Sequence, residues 1–380
     1  MYKERIILSG GGTGGHIFPA ISIALKLQNM LPNAEFLFVG AKGKMEMDKV
    51  PQAGFPIIGL PVSAFHRRLT IKNLSFIFKL AASLIKARKI LKEFQPNLVI
   101  GTGGFACGPI VKAASRKGIP CMLQEQNAFP GVTNRILGKR VNTICVAHEG
   151  LMKYFPEEKI VLTGNPVRQD LTEKKSTREE ALQYFGLQGD HTIVFVFGGS
   201  LGAKTLNQAV AEHLRNLSAE KISLIWQTGS DFYARANDII VQANAGECRA
   251  YEFISRMDLA YQLADVIISR AGAISISELC LVGKPVILVP YPHAAGDHQL
   301  KNAQALLDQG AAHMVEDKNA DKELIQKLLD LLKNKQQMAE MARNISKLGK
   351  PDATLKIAEE AIKLLNTGRD RPVDVNEIEH

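Results

Sequence analysis

The sequence predicts an α/β fold: two Rossmann-like, doubly wound parallel-sheet domains in tandem. Three observations carry that prediction. Short, wholly apolar runs alternate with amphipathic stretches of helical length, the pattern of strands covered on both faces. The alternation begins twice, at residues 6 and 192, each time as apolar run, glycine-rich loop and helix. The length of 380 residues suits two or three ordinary domains.

In the first half, residues 6–9, 35–39, 98–100, 121–124 and 143–147 are the buried strands. Helical periodicity follows over 20–29, 74–92 and 109–117. Turn residues interrupt the series at 162–166. The second series has strands at 192–197, 223–227, 248–253, 266–269 and 286–289. Residues 355–365 form a last amphipathic helix. The expected domains are 1–163 and 164–350, with a helix over about 351–366 and a mobile tail over 367–380.

Composition narrows the function. No apolar run reaches the 18 or so residues of a membrane span, and the nearest, 74–85, is broken by Lys79. The N-terminus lacks the parts of a signal peptide. Five scattered cysteines without a CxxC point to reduced, buried thiols in a cytosolic protein. Zinc-ligand spacing and HExxH are missing. Net charge is +9, but residues 1–168 hold 23 Lys and Arg against 9 Asp and Glu, and the rest hold 24 against 29. The first half therefore faces an anionic surface or ligand.

Three glycine loops each follow a strand: Gly10–His16, Gly101–Phe105 and Gly198–Gly202. Glycines let backbone amides approach a ligand, and the next helix offers free N–H groups that suit a phosphate. The first loop matches GxGxxG through Gly10, Gly12 and Gly15, but the second strand ends Phe38-Val39-Gly40-Ala41-Lys42 without the acid of a nicotinamide site. In the third, Ala203 separates Gly202 from Lys204, which breaks the P-loop pattern.

Eight motifs occur in order. They are Gly11-Gly-Thr-Gly-Gly-His16-Ile-Phe-Pro19, Gly103-Gly104-Phe105, Gln124-Glu125-Gln126-Asn127 and Gly164-Asn-Pro-Val-Arg168. Then come Gly198-Gly-Ser-Leu-Gly-Ala203, Glu252-Phe253-Ile254, Ser269 to Glu278 and Asp297-His-Gln299-x-x-Asn302-Ala303. In these motifs the sequence resembles the MurG glycosyltransferases of family 28. Phe105 stands where members can carry Tyr, and His298 where they can carry Gln. The resemblance implies a GT-B fold, two Rossmann-like domains facing across a cleft, with the last helix crossing back to the first. It also implies an inverting, metal-independent transfer of N-acetylglucosamine from UDP-N-acetylglucosamine to lipid I, giving lipid II, with no cofactor.

The resemblance also implies site roles. On the second domain Glu278 accepts the ribose hydroxyls, and Phe253 and the Ile254 backbone border the uracil. Arg168 and Met257 lie beside the nucleotide. Ser200 and the amides of Ala273, Ile274, Ser275, Ile276 and Ser277 hold the diphosphate. Gln299 and Asn302 bind sugar hydroxyls. On the first domain Thr13, Gly14, Gly15 and Asn127 lie where donor sugar and acceptor meet. Gly11, Gly12, Gly103, Gly104, Phe105 and Asn134 face the acceptor. His16 opens a helix directly after the loop, where the dipole favours its neutral form, and it serves as general base.

No acid occurs between Asp48 and Glu93. Phe65, Arg67, Arg68, Lys72, Leu74, Phe76, Ile77, Lys79 and Leu80 form a basic, apolar stretch, continued by Lys86, Arg88, Lys89 and Lys92. It is an expected contact with anionic phospholipid, placing the enzyme peripherally on the cytoplasmic face of the inner membrane. Cell-wall synthesis and division proteins are expected partners. Nucleic acid is not, since RRM, KH and HTH signatures are missing. Two other readings are a UDP-N-acetylglucosamine 2-epimerase and a nonenzymatic nucleotide-sugar-binding scaffold.

Overall fold

The computed structural model describes residues 3–62, 72–168, 171, 176–199, 202–294 and 297–369, with backbone alone for 72–77 and 368–369. The chain forms two compact units. One runs to Val167 and takes in the segment from Asp352; the other is Arg168–Pro351.

The first unit begins β1 (Arg5–Gly10), α1 (Gly14–Met30), β2 (Glu35–Ala41), α2 (Glu46–Gln52), β3 (Ile57–Leu60) and α3 (Lys72–Phe94). It continues β4 (Leu98–Gly103), α4 (Cys107–Arg116), β5 (Cys121–Glu125), α5 (Val132–Gly138), β6 (Thr143–Val146) and β7 (Ile160–Leu162). All its strand pairs are parallel, in the order β3-β2-β1-β4-β5-β6-β7. Strand period explains why β1 is wholly apolar. Ile7 points into a core shared with Ile110 and Val111 of α4, while Ile6 and Leu8 point into another with Ile17 and Ile23 of α1.

The second unit begins α6 (Arg178–Phe185), β8 (Thr192–Phe197), α7 (Lys204–Ala219), β9 (Ile222–Gln227), α8 (Ser230–Gln242), β10 (Cys248–Tyr251) and α9 (Met257–Leu263). It continues β11 (Val266–Ser269), α10 (Ala273–Val282), β12 (Val286–Leu288), α11 (His298–Leu307), β13 (His313–Met314), α12 (Ala320–Lys333) and α13 (Lys335–Ser346). The parallel order is β10-β9-β8-β11-β12-β13. β8 repeats the logic of β1. Val194 and Val196 enter one core, and Ile193, Phe195 and Phe197 the other.

The final helix, α14 (Ala353–Arg369), belongs to the first unit. Its stripe of Ile357, Ala358, Ala361 and Leu365 completes the core under α1. The Val167 N–H donates to Thr354 Oγ1 at 3.2 Å, which ties the entry of this helix to the end of the first segment.

The first segment ends after Val167, not 163, because residues 164–167 stay bonded to their own sheet and to Thr354. The last helix runs from Ala353 through Arg369 rather than ending near 366. The rest of the expected tail, 370–380, lies outside the described residues. Among the described residues no helix is long and apolar enough to cross a membrane.

Strand order positions the site. In each sheet the winding reverses between the first strand and its inner neighbour, β1 with β4 and β8 with β11. Loops leaving the carboxyl ends of such a pair splay apart and open a crevice for a ligand. The loops there are the first and second glycine loops in one unit, and the third loop and the start of α10 in the other.

Candidate active site

In the first unit the two glycine loops are packed against each other. Gly12, Gly103 and Gly104 have φ of +86°, +102° and +78°, the left-handed region that side chains avoid. A Cβ on Gly104 would run into the Gly11 carbonyl, and one on Gly12 would meet the Phe105 ring. The loops therefore interlock through backbone. Gly104→Ala is expected to cost about 1–3 kcal/mol, the usual penalty for overpacking, and to lower the melting temperature. A wild-type melting curve would contradict this interlock.

His16 stands in the first turn of α1, half-buried. The Thr102 hydroxyl, at the end of β4, donates to the His16 carbonyl at 2.7 Å. His16 Nδ1 and Thr13 Oγ1 are 3.0 Å apart. The other edge of the ring lies over Gly103. A Cβ placed there would be 3.1 Å from His16 Nε2 and 3.3 Å from Asn134 Nδ2. His16, Asn134 and the second loop thus converge. Thr13 and Gly15 are exposed beside them.

Two buried acids brace this arrangement, and neither was given a role from sequence. Glu125 ends β5 at 1% exposure. One of its oxygens accepts the Asn127 N–H at 3.0 Å and Asn127 Nδ2 at 3.2 Å. The other accepts the Gly131 N–H at 3.2 Å and Asn134 Nδ2 at 2.9 Å. Burial raises its pKa against the opposing pull of these donors. Asn127 is thus held by Glu125. Asn134 Oδ1 and Gln126 Oε1 are buried without a hydrogen-bond partner among the described residues, which marks them as candidate ligand contacts. Glu46, the second acid, reaches the first glycine loop.

In the second unit three separated motifs meet. Arg168 Nε donates to Glu278 Oε1 at 3.1 Å, and Arg168 Nη1 donates to the Ser255 carbonyl at 3.4 Å. The Tyr261 hydroxyl donates to Glu278 Oε2 at 3.0 Å. Glu278 is 6% exposed, in the second turn of α10. Its carboxylate keeps acceptor capacity beyond these two donors, since each oxygen has two lone pairs. The N-terminal turn of α10 carries Ala273, Ile274 and Ser275, and the Ser277 hydroxyl donates back to the Ala273 carbonyl at 3.0 Å.

Gln227, which sequence reasoning passed over, joins two segments. Its Nε2 donates to the Gly199 carbonyl at 3.0 Å and its Oε1 accepts the Ile254 N–H at 2.8 Å. The Ile254 N–H is therefore already engaged, and reading uracil through it would require Gln227 to move. Met257 was expected beside the nucleotide, but it lies in the core at 5% exposure. The first turn of α9 packs onto the sheet and takes the thioether inward. Ile276 joins the same core, and Phe253 is half-buried. Asn302 is buried and donates to the Ala271 carbonyl at 3.1 Å, bracing the turn before α10. Gln299 accepts the Tyr291 N–H at 2.9 Å near the surface. Ser200 lies outside the described residues.

Within the basic, apolar stretch, Phe65, Arg67 and Arg68 lie outside the described residues, as do the side chains of Lys72, Leu74, Phe76 and Ile77. Lys79 is exposed and Leu80 half-buried. Phe78 and Ile85, at helical spacing on α3, are 70% and 66% exposed. All five cysteines are buried and free, and burial pushes the Cys107, Cys121 and Cys280 thiols up to about 12. They are not nucleophiles at neutral pH.

Comparison with known proteins agrees with this geometry. The profile of the glycosyltransferase family 28 N-terminal domain matches residues 6–146, and that of the C-terminal domain matches 193–357. A protein of Parabacteroides distasonis is 49% identical over 366 residues, covering 96% of this chain and 100% of its own length. One of Christiangramia forsetii is 51% identical over 362 residues, covering 95% and 98%. Both are named UDP-N-acetylglucosamine--N-acetylmuramyl-(pentapeptide) pyrophosphoryl-undecaprenol N-acetylglucosamine transferase. The crystal structure of Acinetobacter baumannii MurG matches with a TM-score of 0.71 at 28% identity, over 95% of this chain and 99% of that one. With matching profiles in both units and full-length relatives at such identity, the chain belongs to glycosyltransferase family 28.

Proposed function

We propose that this chain transfers N-acetylglucosamine from UDP-N-acetylglucosamine to the 4-hydroxyl of N-acetylmuramic acid in an undecaprenyl-pyrophosphoryl-pentapeptide acceptor. One observation carries the reading. Arg168, the Ser255 carbonyl and Glu278, from three segments far apart in sequence, meet at the N-terminal half of α10, on the ligand-binding edge of the second sheet. The names of the full-length relatives support the donor and acceptor.

In this reading the second unit binds the donor. Glu278 takes the ribose hydroxyls with its remaining lone pairs, and Arg168 fixes the carboxylate. The N-terminal amides of α10 and the third glycine loop receive the diphosphate, which gains negative charge as UDP leaves. The first unit binds the acceptor and supplies the base. For His16 to act, its Nδ1–H must donate to Thr13 Oγ1, leaving the Nε2 lone pair free to take a proton. The 4-hydroxyl oxygen then bonds to C1 of the donor while the C1–O bond to UDP breaks. The hydroxyl proton passes to His16 Nε2. One displacement inverts the α-linked donor to a β(1→4) product, with no metal in the step.

The test is label transfer from UDP-[¹⁴C]N-acetylglucosamine to a lipid I analogue in buffer with EDTA. Labelled disaccharide-lipid supports the reading. Acceptor-independent conversion to the 2-epimer, or binding without turnover, refutes it in favour of an epimerase or a scaffold.

In this reading the enzyme works peripherally at the cytoplasmic face of the plasma membrane, where a lipid-linked acceptor would meet it; the relatives' names support the lipid-linked acceptor. The exposed Phe78 and Ile85, flanked by Lys79, Lys86 and Lys89, give α3 an apolar surface with cations around it. The chain is expected to float with anionic liposomes at low salt and to release at high salt. A Phe78→Ser, Lys79→Glu variant should float less. Equal recovery of variant and wild type would remove α3 from the membrane contact.

A further inference from the structure

We propose that Glu46 is a positioning residue of the transfer reaction, whose carboxylate occupies the Gly12 amide and fixes the first glycine loop in the shape that presents Thr13 and His16. It rests on the assignment of His16 as the base.

The geometry is specific. Glu46 is the first residue of α2, yet it is wholly buried. An acid at a helix start is favoured by the dipole, but such residues ordinarily face solvent. Here both carboxylate oxygens lie 3.2 Å from the Gly12 N–H, and Oε1 also accepts the Ala41 N–H at 2.9 Å. The carboxylate thus clamps the first loop to the end of β2. Three glycines make room for it. A Cβ on Gly11 would lie 2.7 Å from Glu46 Cδ, one on Gly40 would lie 2.6 Å from Glu46 Cγ, and Gly12 itself needs φ +86°.

This clamp has two consequences. The Gly12 N–H is engaged by the protein's own anion, so the acceptor diphosphate must use other donors. Gly12 is also followed directly by Thr13, whose hydroxyl meets His16 Nδ1 and whose carbonyl accepts the His16 N–H at 3.2 Å. Displacing Gly12 therefore displaces the group that sets the histidine tautomer. Glu46 lies beyond the end of β2, on α2, and its carboxylate turns back to the loop.

The test compares Glu46→Gln and Glu46→Asp with wild type. Glutamine keeps the size but sets an NH₂ group against a backbone N–H. In Glu46→Gln, kcat is expected to fall about 10–100-fold, the effect of a misplaced catalytic group. KM for UDP-N-acetylglucosamine should stay unchanged, because the donor is held on the other unit. The His16 imidazole ¹⁵N resonance, identified by its loss in His16→Asn, should shift in Glu46→Gln, and Glu46→Asp should recover part of kcat. If Glu46→Gln does not fold, the same shift and a smaller loss of kcat are expected in Glu46→Asp. Folded variants with wild-type kcat and an unmoved His16 resonance overturn the proposal, as does a loss confined to melting temperature. If His16→Asn retains turnover, the base assignment fails instead, and the resonance shift still decides whether Glu46 positions the loop.

Discussion

Replacing His16 by Ala is expected to lower kcat by about 10²–10⁴-fold, the usual contribution of a general base, while KM for the donor stays unchanged. The separation follows from the structure. His16, Thr13, Thr102 and Gly103 belong to the first unit, whereas Arg168, Tyr261 and Glu278 belong to the second. Removing the imidazole deletes a proton acceptor that matters only as the hydroxyl attacks. A His16→Ala enzyme that binds donor poorly but turns over normally would move the residue from chemistry to donor binding.

Glu278→Ala should do the opposite. Its carboxylate is the shared acceptor for Arg168 Nε and the Tyr261 hydroxyl, and in the proposed complex for two ribose hydroxyls. Hydrogen bonds to a charged group are each worth about 1.5–3 kcal/mol, so donor affinity should fall by at least about tenfold. The folded state should lose about 1–3 kcal/mol as well, from buried donors deprived of their acceptor. Calorimetric titration with UDP measures the first effect and thermal melting the second. Tyr261→Phe, which keeps the carboxylate, should change donor affinity far less. Unchanged UDP affinity in Glu278→Ala would show that the nucleotide lies elsewhere.

Much of this architecture was legible because it rests on buried strands and glycine loops. β8 and β11 were bounded correctly from sequence, since a central parallel strand is apolar on both faces and ends at a turn. The strands that escaped notice are edge or near-edge ones. β3 is half-buried and holds Gly59, β7 is partly exposed, and β13 has two residues. Too little burial leaves too little apolar pattern. At the site, Glu278 could be singled out because a known motif surrounds it. Glu46 could not, because an acid opening a helix looks like an ordinary solvated cap, and only the fold shows it turned against Gly12. Gln227 and Glu125 were hidden for the same reason: their partners, loop backbone groups for both and also the Asn127 and Asn134 amides for Glu125, are brought to them only by the fold. Met257 lies in the core of the second unit, the usual place for a lone methionine.

The central claim is a single displacement, with the donor on one unit of this GT-B fold and the base on the other. It is tested most directly by the anomeric configuration of the product. Wild-type enzyme supplied with UDP-α-N-acetylglucosamine and a lipid I analogue should give only the β(1→4) disaccharide, read from the anomeric proton by NMR. An α-linked product, or a labelled sugar trapped covalently on the enzyme, would contradict it.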